Sequence, residues 1–157
     1  MIFKIISGGQ TGADEGGLEV AKSLGLLTGG TMPNGFRTER GNRPEFASLY
    51  GMTEHESPEY APRTGRNVFD SCGTMRFAAD FNSAGEKLTL NKCRALGRPV
   101  FDVPMHNEPD MARAVEWVTR NAVRTLNVAG NRESTHPGIK RFTMSYLERL
   151  IKKLAEL

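Results

Sequence analysis

Apolar residues along the chain alternate between short continuous runs and longer, helically spaced stretches. Phe3–Ser7 is a short apolar run ending in Ser7-Gly8-Gly9, the pattern of a buried strand. From Gly12 to Leu24, Leu18, Ala21 and Leu24 share one helix face, and Gly25 stops the helix. Leu26–Met32 predicts a second strand, Gly73–Ala78 a third, Pro99–Val103 a fourth and Thr125–Ala129 a fifth. Between them Pro58–Phe69, Gly85–Leu96 and Pro109–Asn121 predict helices, with Ser57 as N-cap and Pro58 as first helical residue of the earliest. The last helix is the clearest element. Ile139, Phe142, Tyr146, Leu147, Leu150, Ile151 and Leu154 form one apolar stripe, and Arg141, Arg149, Lys152 and Lys153 stay off it. Strands alternating with helices predict a mostly parallel sheet of about five strands with five helices on its two faces, residues 1–157 forming a single domain.

One stretch breaks the rhythm. Pro33–Ser57 has weak periodicity and is rich in Pro, Gly, Arg and Glu. It predicts a long loop, of the kind that is functional or mobile. Composition otherwise describes an ordinary globular chain, 38% hydrophobic and 25% charged. The net charge of +3 comes from 21 Lys and Arg spread among 18 acids, so no basic patch for nucleic acid is expected. No apolar run approaches the ~18 residues of a membrane span. Cys72 and Cys93 lie 21 apart without a CxxC, and the chain opens strand-like without a signal-peptide core; cytoplasm is the expected location. His55, His106 and His136 have no metal-ligand spacing, and no His is placed beside Cys72 to make it a nucleophile.

The glycines carry the first chemical signal. Gly8-Gly9-Gln10-Thr11-Gly12-Ala13-Asp14 stands at the carboxyl end of the first strand and opens a helix, which is where ligands bind in parallel α/β sheets. Unpaired N–H groups and the positive end of the helix dipole make phosphate the natural guest. The run is neither a Walker loop, since Ala13-Asp14 follows Gly12, nor a GxGxxG fingerprint. Thr11-x-x-Asp14 fits a capping box, which makes Asp14 either a cap or an acceptor for a ligand hydroxyl or ring N–H.

Two further loops repeat the theme. Phe81–Thr89 couples small residues to a helix start, with Gly85, Lys87 and Thr89 as candidates; Gly130-Asn131-Arg132-Glu133-Ser134 follows the fifth strand and sets Arg132 and Ser134 beside a Gly. On the helix from Pro58, Tyr60, Arg63, Thr64, Asn67 and Ser71 fall on one polar face, opposite a modest apolar side (Ala61, Val68, with Phe69 near its edge) that would turn Arg63 and Asn67 toward a cleft.

Taken together, these residues resemble the molybdenum cofactor carrier protein family. The resemblance is carried by Gly8–Asp14, by Gly29-Gly30 through Pro33-x-Gly35-x-Arg37, by Tyr60-Ala61-x-Arg63-Thr64-x-x-Asn67-Val68-x-Asp70-Ser71-x-Gly73-Thr74, and by Leu126–Gly130 with Arg132, Ser134 and Pro137-Gly138. It covers nearly the whole chain in order. It implies a Rossmann-like three-layer sandwich, related to the LONELY GUY and lysine-decarboxylase-like proteins. It also implies binding of a pterin phosphate (the molybdenum cofactor) or a nucleotide, with no directly ligated metal. Together with the loop readings above, it gives as candidate site residues Gly8, Gly9, Gln10, Thr11, Gly12, Asp14, Arg37, Arg63, Asn67, Ser71, Gly85, Lys87, Thr89, Gly130, Arg132 and Ser134. Three positions depart from the family pattern: Glu15 where a basic residue is common, Ala84-Gly85-Glu86-Lys87-Leu88-Thr89 for Gly-Gly-Thr-x-x-Thr, and Cys72 for Asp.

The expected partner is a small phosphate-bearing ligand, with no nucleic acid and no membrane, and the chain is expected to be a homo-oligomer. Binding without turnover is the primary expectation. One alternative is a nucleoside 5'-monophosphate N-glycosidase like the related phosphoribohydrolases, against which Thr89 stands where those enzymes place a Glu. Another is a sensor or sink for an ADP-ribose-type nucleotide.

Overall fold

The computed structural model describes all 157 residues. The chain runs β1 (Lys4–Ser7), α1 (Ala13–Ser23), β2 (Leu27–Met32), β3 (Arg37–Thr38), β4 (Gly41–Asn42), α2 (Phe46–Tyr50), β5 (Met52–Glu54), α3 (Tyr60–Asp70), β6 (Gly73–Ala78), α4 (Ala84–Ala95), β7 (Val100–Pro104), α5 (Met111–Arg120), β8 (Thr125–Gly130) and α6 (Ile139–Ala155). Six strands form one sheet in the order β5-β2-β1-β8-β6-β7, every pairing parallel. α1 and α5 each pack against α6 at one face, and α3 and α4 pair at the other. This is the expected Rossmann-like sandwich, with six strands where the periodicity gave five.

The extra strand explains the long stretch after Pro33. Met52–Glu54 pairs with Gly30–Met32 at the sheet edge, and only Met52 of the three is buried. Three residues are too few for a period of two to show. Phe46 and Tyr50, four apart on α2, meet edge-on at 5.1 Å and close a small core with Leu18, Met32 and Met52. The stretch also holds the β3–β4 hairpin. α3 starts at Tyr60 rather than Pro58: its N-cap is Glu59, and the Ser57 hydroxyl accepts the Glu59 N–H in a separate turn.

The main core lies between the sheet and the α1/α5/α6 layer. Met75, Phe77, Leu126 and Val128 face it from β6 and β8, against Ala13, Val118, Tyr146 and Leu147. The intervening residues Thr74, Arg76 and Asn127 take the opposite, polar side. Asn127 Nδ2 donates to Thr74 Oγ1 at 3.1 Å, and Arg76 holds Asp102 through two bonds of 2.7 Å and donates to the Glu86 carbonyl on α4 at 2.9 Å. The sheet is therefore apolar beneath α6 and polar beneath α4. No helix is long and apolar enough to cross a membrane.

Strand order fixes where a ligand can sit. From β1 the chain builds outward through β2 to β5, crosses to β6 and β7, and returns to insert β8 beside β1. Such a reversal leaves a crevice at the carboxyl ends of the central strands.

Candidate functional site

A cleft of about 540 Å³ opens at that reversal. Its floor is Gln10 and Asp14 after β1, Asp80 after β6, and Gly130, Asn131 and Arg132 at the end of β8; Tyr60, Arg63 and Thr64 of α3 and the start of α4 form its walls.

Of the residues singled out by sequence, Gln10, Asp14, Arg63, Gly85, Thr89, Gly130 and Arg132 line this cleft. Gly8 and Asn67 border a narrow recess beside it, together with Asp14, Arg63 and Thr89. Gly9, Thr11, Gly12, Arg37, Ser71, Lys87 and Ser134 lie outside the lining. Lys87 is exposed on α4, and the Ser71 hydroxyl is turned to the Val68 carbonyl at the end of α3. Asn67 closes on β2: it donates to the Thr31 carbonyl at 2.9 Å and accepts the Thr31 N–H at 2.8 Å. Thr89 Oγ1 bonds its own helix at the Gly85 carbonyl.

The first turn is held largely by its own chain. Gly12 has φ +83°, and a Cβ there would stand 2.3 Å from the Asn131 carbonyl oxygen, so the β8–α6 loop lies directly on the start of α1. The Ala13 N–H donates to that carbonyl, the Thr11 N–H to Gln10 Oε1, and the Gln10 N–H to Asp14 Oδ2. The capping box expected of Thr11 and Asp14 does not form. The N-cap is Gly12 without a side-chain bond, and the Thr11 hydroxyl is engaged by Glu39 and by the Glu133 N–H. The start of α4 is different. Ala84 and Gly85, whose N–H groups precede the first bond of the helix ladder, are exposed on the cleft wall, and Ser83 Oγ accepts from the Glu86 N–H as N-cap.

Charge is concentrated around one ring. The guanidinium groups of Arg37, Arg63 and Arg132 stand 5.0, 5.4 and 5.0 Å from the centre of Tyr60. Arg63 is mostly buried, with 13% of its side chain exposed; its Nη1 is 3.9 Å from Asp14 Oδ2, and its Nε has no partner. Burial pulls the Arg63 pKa down, against the pull of Asp14 and Tyr60. Asp14 is raised from 3.8 to about 6, by burial first and then by Glu86, while Arg63 and the Gln10 and Gly8 N–H groups oppose the rise. A cleft carboxyl that exchanges its proton near neutral pH marks a candidate functional group. Gln10 Nε2 is likewise buried without a partner.

Three residues carrying this arrangement were not singled out as candidates. Tyr60 lies on the polar face of its helix by spacing alone, but only the fold brings Arg37 and Arg132 onto it. Asn131 accepts the Ala79 and Asp80 N–H groups and donates to the Asp80 carbonyl and Glu86 Oε2, pinning the β6–α4 loop to the β8–α6 loop; its place between Gly130 and Arg132 was the available signal. Glu39, inside the aperiodic stretch, gave none. The departing acids separate: Glu15 pairs with Lys140 at 3.3 Å and does not line the cleft, whereas Glu86 does, held by Ser83 and Asn131.

No group of three His, Cys, Asp or Glu is placed to hold a metal ion. A model of the Circularly permutated YpsA SLOG family matches residues 5–151. Among solved structures, a protein from Syntrophus aciditrophicus SB, named "Putative molybdenum carrier protein", is similar over 96% of this chain and 95% of that one, at 32% identity and a TM-score of 0.87. No curated protein matches the chain.

Proposed function

We propose, from the premise that the chain belongs to the Circularly permutated YpsA SLOG family, that its cleft binds a small phosphate-bearing ligand of pterin or nucleotide type, as a molybdenum cofactor carrier-like protein. The observation that carries this reading is the arginine cluster on Tyr60 facing the exposed start of α4 across the cleft. Like charges crowd one ring with only Asp14 and Glu39 within 4.0 Å as counter-charges, a cost that an incoming anion repays. A helix start with free N–H groups supplies further donors to the same anion. The phosphate is thereby assigned to α4, Arg63 and Arg132 rather than to the self-satisfied turn of α1.

The remaining donor set fits the rest of such a ligand. Gln10 Nε2 is a donor without a partner, and Asp14 accepts when ionised and donates when protonated. A pterin or purine edge offers complementary amide groups. The molybdenum cofactor would be held through its phosphate and ring, because the cleft has no metal-ligating cluster.

Titrating the protein with inorganic phosphate, a nucleoside monophosphate, ADP-ribose and a pterin phosphate by calorimetry tests the proposal. Binding of at least one organic phosphate more tightly than inorganic phosphate is expected; no heat from any of them at millimolar concentration rejects it. The Asp14 proton also suits a nucleoside 5'-monophosphate N-glycosidase, as a donor to a departing base. Thr89 in place of the Glu of those enzymes argues for binding alone, and steady release of free base would decide for turnover.

A further inference from the structure

The β3–β4 hairpin carries Glu39 across to the other side of the first turn. The two carboxylate oxygens accept from the Thr11 hydroxyl, from the Ser134 hydroxyl at 2.5 Å and from the Ser134 N–H at 3.4 Å, with Arg132 Nη1 at 4.0 Å. Gln10 Oε1 accepts the Glu39 N–H at 2.9 Å, so the hairpin is tied at both side chain and backbone. Burial pushes the Glu39 carboxyl up, but the bonds from Ser134 and Thr11 outweigh it and hold it below the usual range. The group is therefore an anion, seated in a ring of two hydroxyls, one backbone N–H and one guanidinium.

Those donors do not belong to the hairpin. Thr11 comes from the loop after β1, and Ser134 and Arg132 from the loop after β8, the two loops that also supply Gln10 and Asn131 to the cleft. Arg132 faces both places, lining the cleft and reaching toward Glu39. Hydroxyls, a backbone N–H and an arginine are the groups that hold phosphate oxygens.

We infer that Thr11, Ser134 and Arg132 form a second anion subsite, occupied by Glu39 as an internal surrogate, which takes a second phosphate group of the ligand when Glu39 withdraws. The ligand class is then one with two anionic groups, such as a nucleoside diphosphate. The inference rests on the reading that the cleft binds phosphate at all.

Calorimetry on the full chain with inorganic phosphate and pyrophosphate separates the two. Glu39→Ala is expected to bind two phosphates where the parent binds one, and to bind pyrophosphate about tenfold tighter once the like charge is gone. Adding Ser134→Ala to that variant is expected to return the stoichiometry to one. Glu39→Gln keeps the side chain's size and removes its charge, and carries the test through tighter pyrophosphate binding if Glu39→Ala does not fold. Unchanged stoichiometry and affinity in the folded variants overturn the second subsite and leave the cleft reading standing. Absence of phosphate binding in parent and variants alike overturns the cleft reading itself.

Discussion

Asp14 Oδ2 stands 3.9 Å from Arg63 Nη1, with both side chains almost wholly out of water. The pair is too long for a direct hydrogen bond, and Asp14 keeps its proton to about pH 6 despite the guanidinium. Between pH 4 and 6 the folded chain thus holds a proton that the unfolded chain has released. Stability contributed at this residue falls as pH rises through that window, and is unaffected below it. At pH 7 the ionised carboxylate weighs on the fold by roughly 3 kcal/mol. Asp14→Asn, a mimic of the protonated form, is expected to be more stable than the parent at pH 7 by an amount of that order, and equal to it below pH 4. Urea denaturation of both proteins across this range checks it; parallel curves would show that Asp14 has an ordinary proton affinity.

Gly12 and Gly85 look alike in the sequence and are set apart by their surroundings. A Cβ on Gly12 meets the Asn131 carbonyl oxygen at 2.3 Å, at φ +83° and ψ −125°, whereas one on Gly85 meets nothing within 4 Å. Gly12→Ala is expected to lose on the order of 3 kcal/mol, seen as a lowered Tm. Gly85→Ala is expected to hold or slightly raise the Tm, since alanine favours the helix by roughly 0.5–1 kcal/mol. The new methyl tilts toward the helix N-terminus, where the anion is assigned, and phosphate affinity should fall.

Asn67 provides a control on what belongs to the cleft. It lies on the same face of α3 as Arg63, yet both ends of its amide are spent on the Thr31 backbone. Asn67→Ala leaves a buried N–H and C=O without this partner, at about 1–3 kcal/mol each. A lowered Tm with phosphate affinity unchanged is expected. A selective loss of affinity in a fully stable variant would make Asn67 a ligand contact instead.

The contrast among these residues shows what the sequence could and could not convey. Long elements with a strong period, such as α6, were legible to within a residue or two, because burial of one face imposes spacing. β5 was not, since three edge residues with one buried side chain make no period. Gln10, Asp14, Arg63 and Arg132, chosen from separate motifs, all line one cleft. What motifs could not say is which donors remain free. The α1 turn reads as a phosphate cradle, but Asn131 lies on it, and Glu39 enters through contacts across 28 residues to Thr11 and 95 to Ser134.

Arg63 and Arg132 both crowd Tyr60, but their settings predict different behaviour. Arg63 is buried and has a donor, Nε, with no partner; Arg132 is partly exposed, 43% at its side chain. A charge-assisted bond to a ligand phosphate is worth about 1.5–3 kcal/mol, roughly 10- to 100-fold in affinity. Arg63→Met is expected to show a loss of that size with little dependence on salt, because its side chain is only 13% exposed. Arg132→Met should show a smaller loss that fades as salt screens the parent. Removing Arg63 also removes the strongest influence lowering the Asp14 pKa, so the Asp14 carboxyl should titrate above 6 in Arg63→Met, visible in its side-chain carbon shift by NMR. If phosphate affinity drops equally in both variants and Asp14 titrates as before, the buried pair is not the seat of anion recognition, and the exposed arginines are.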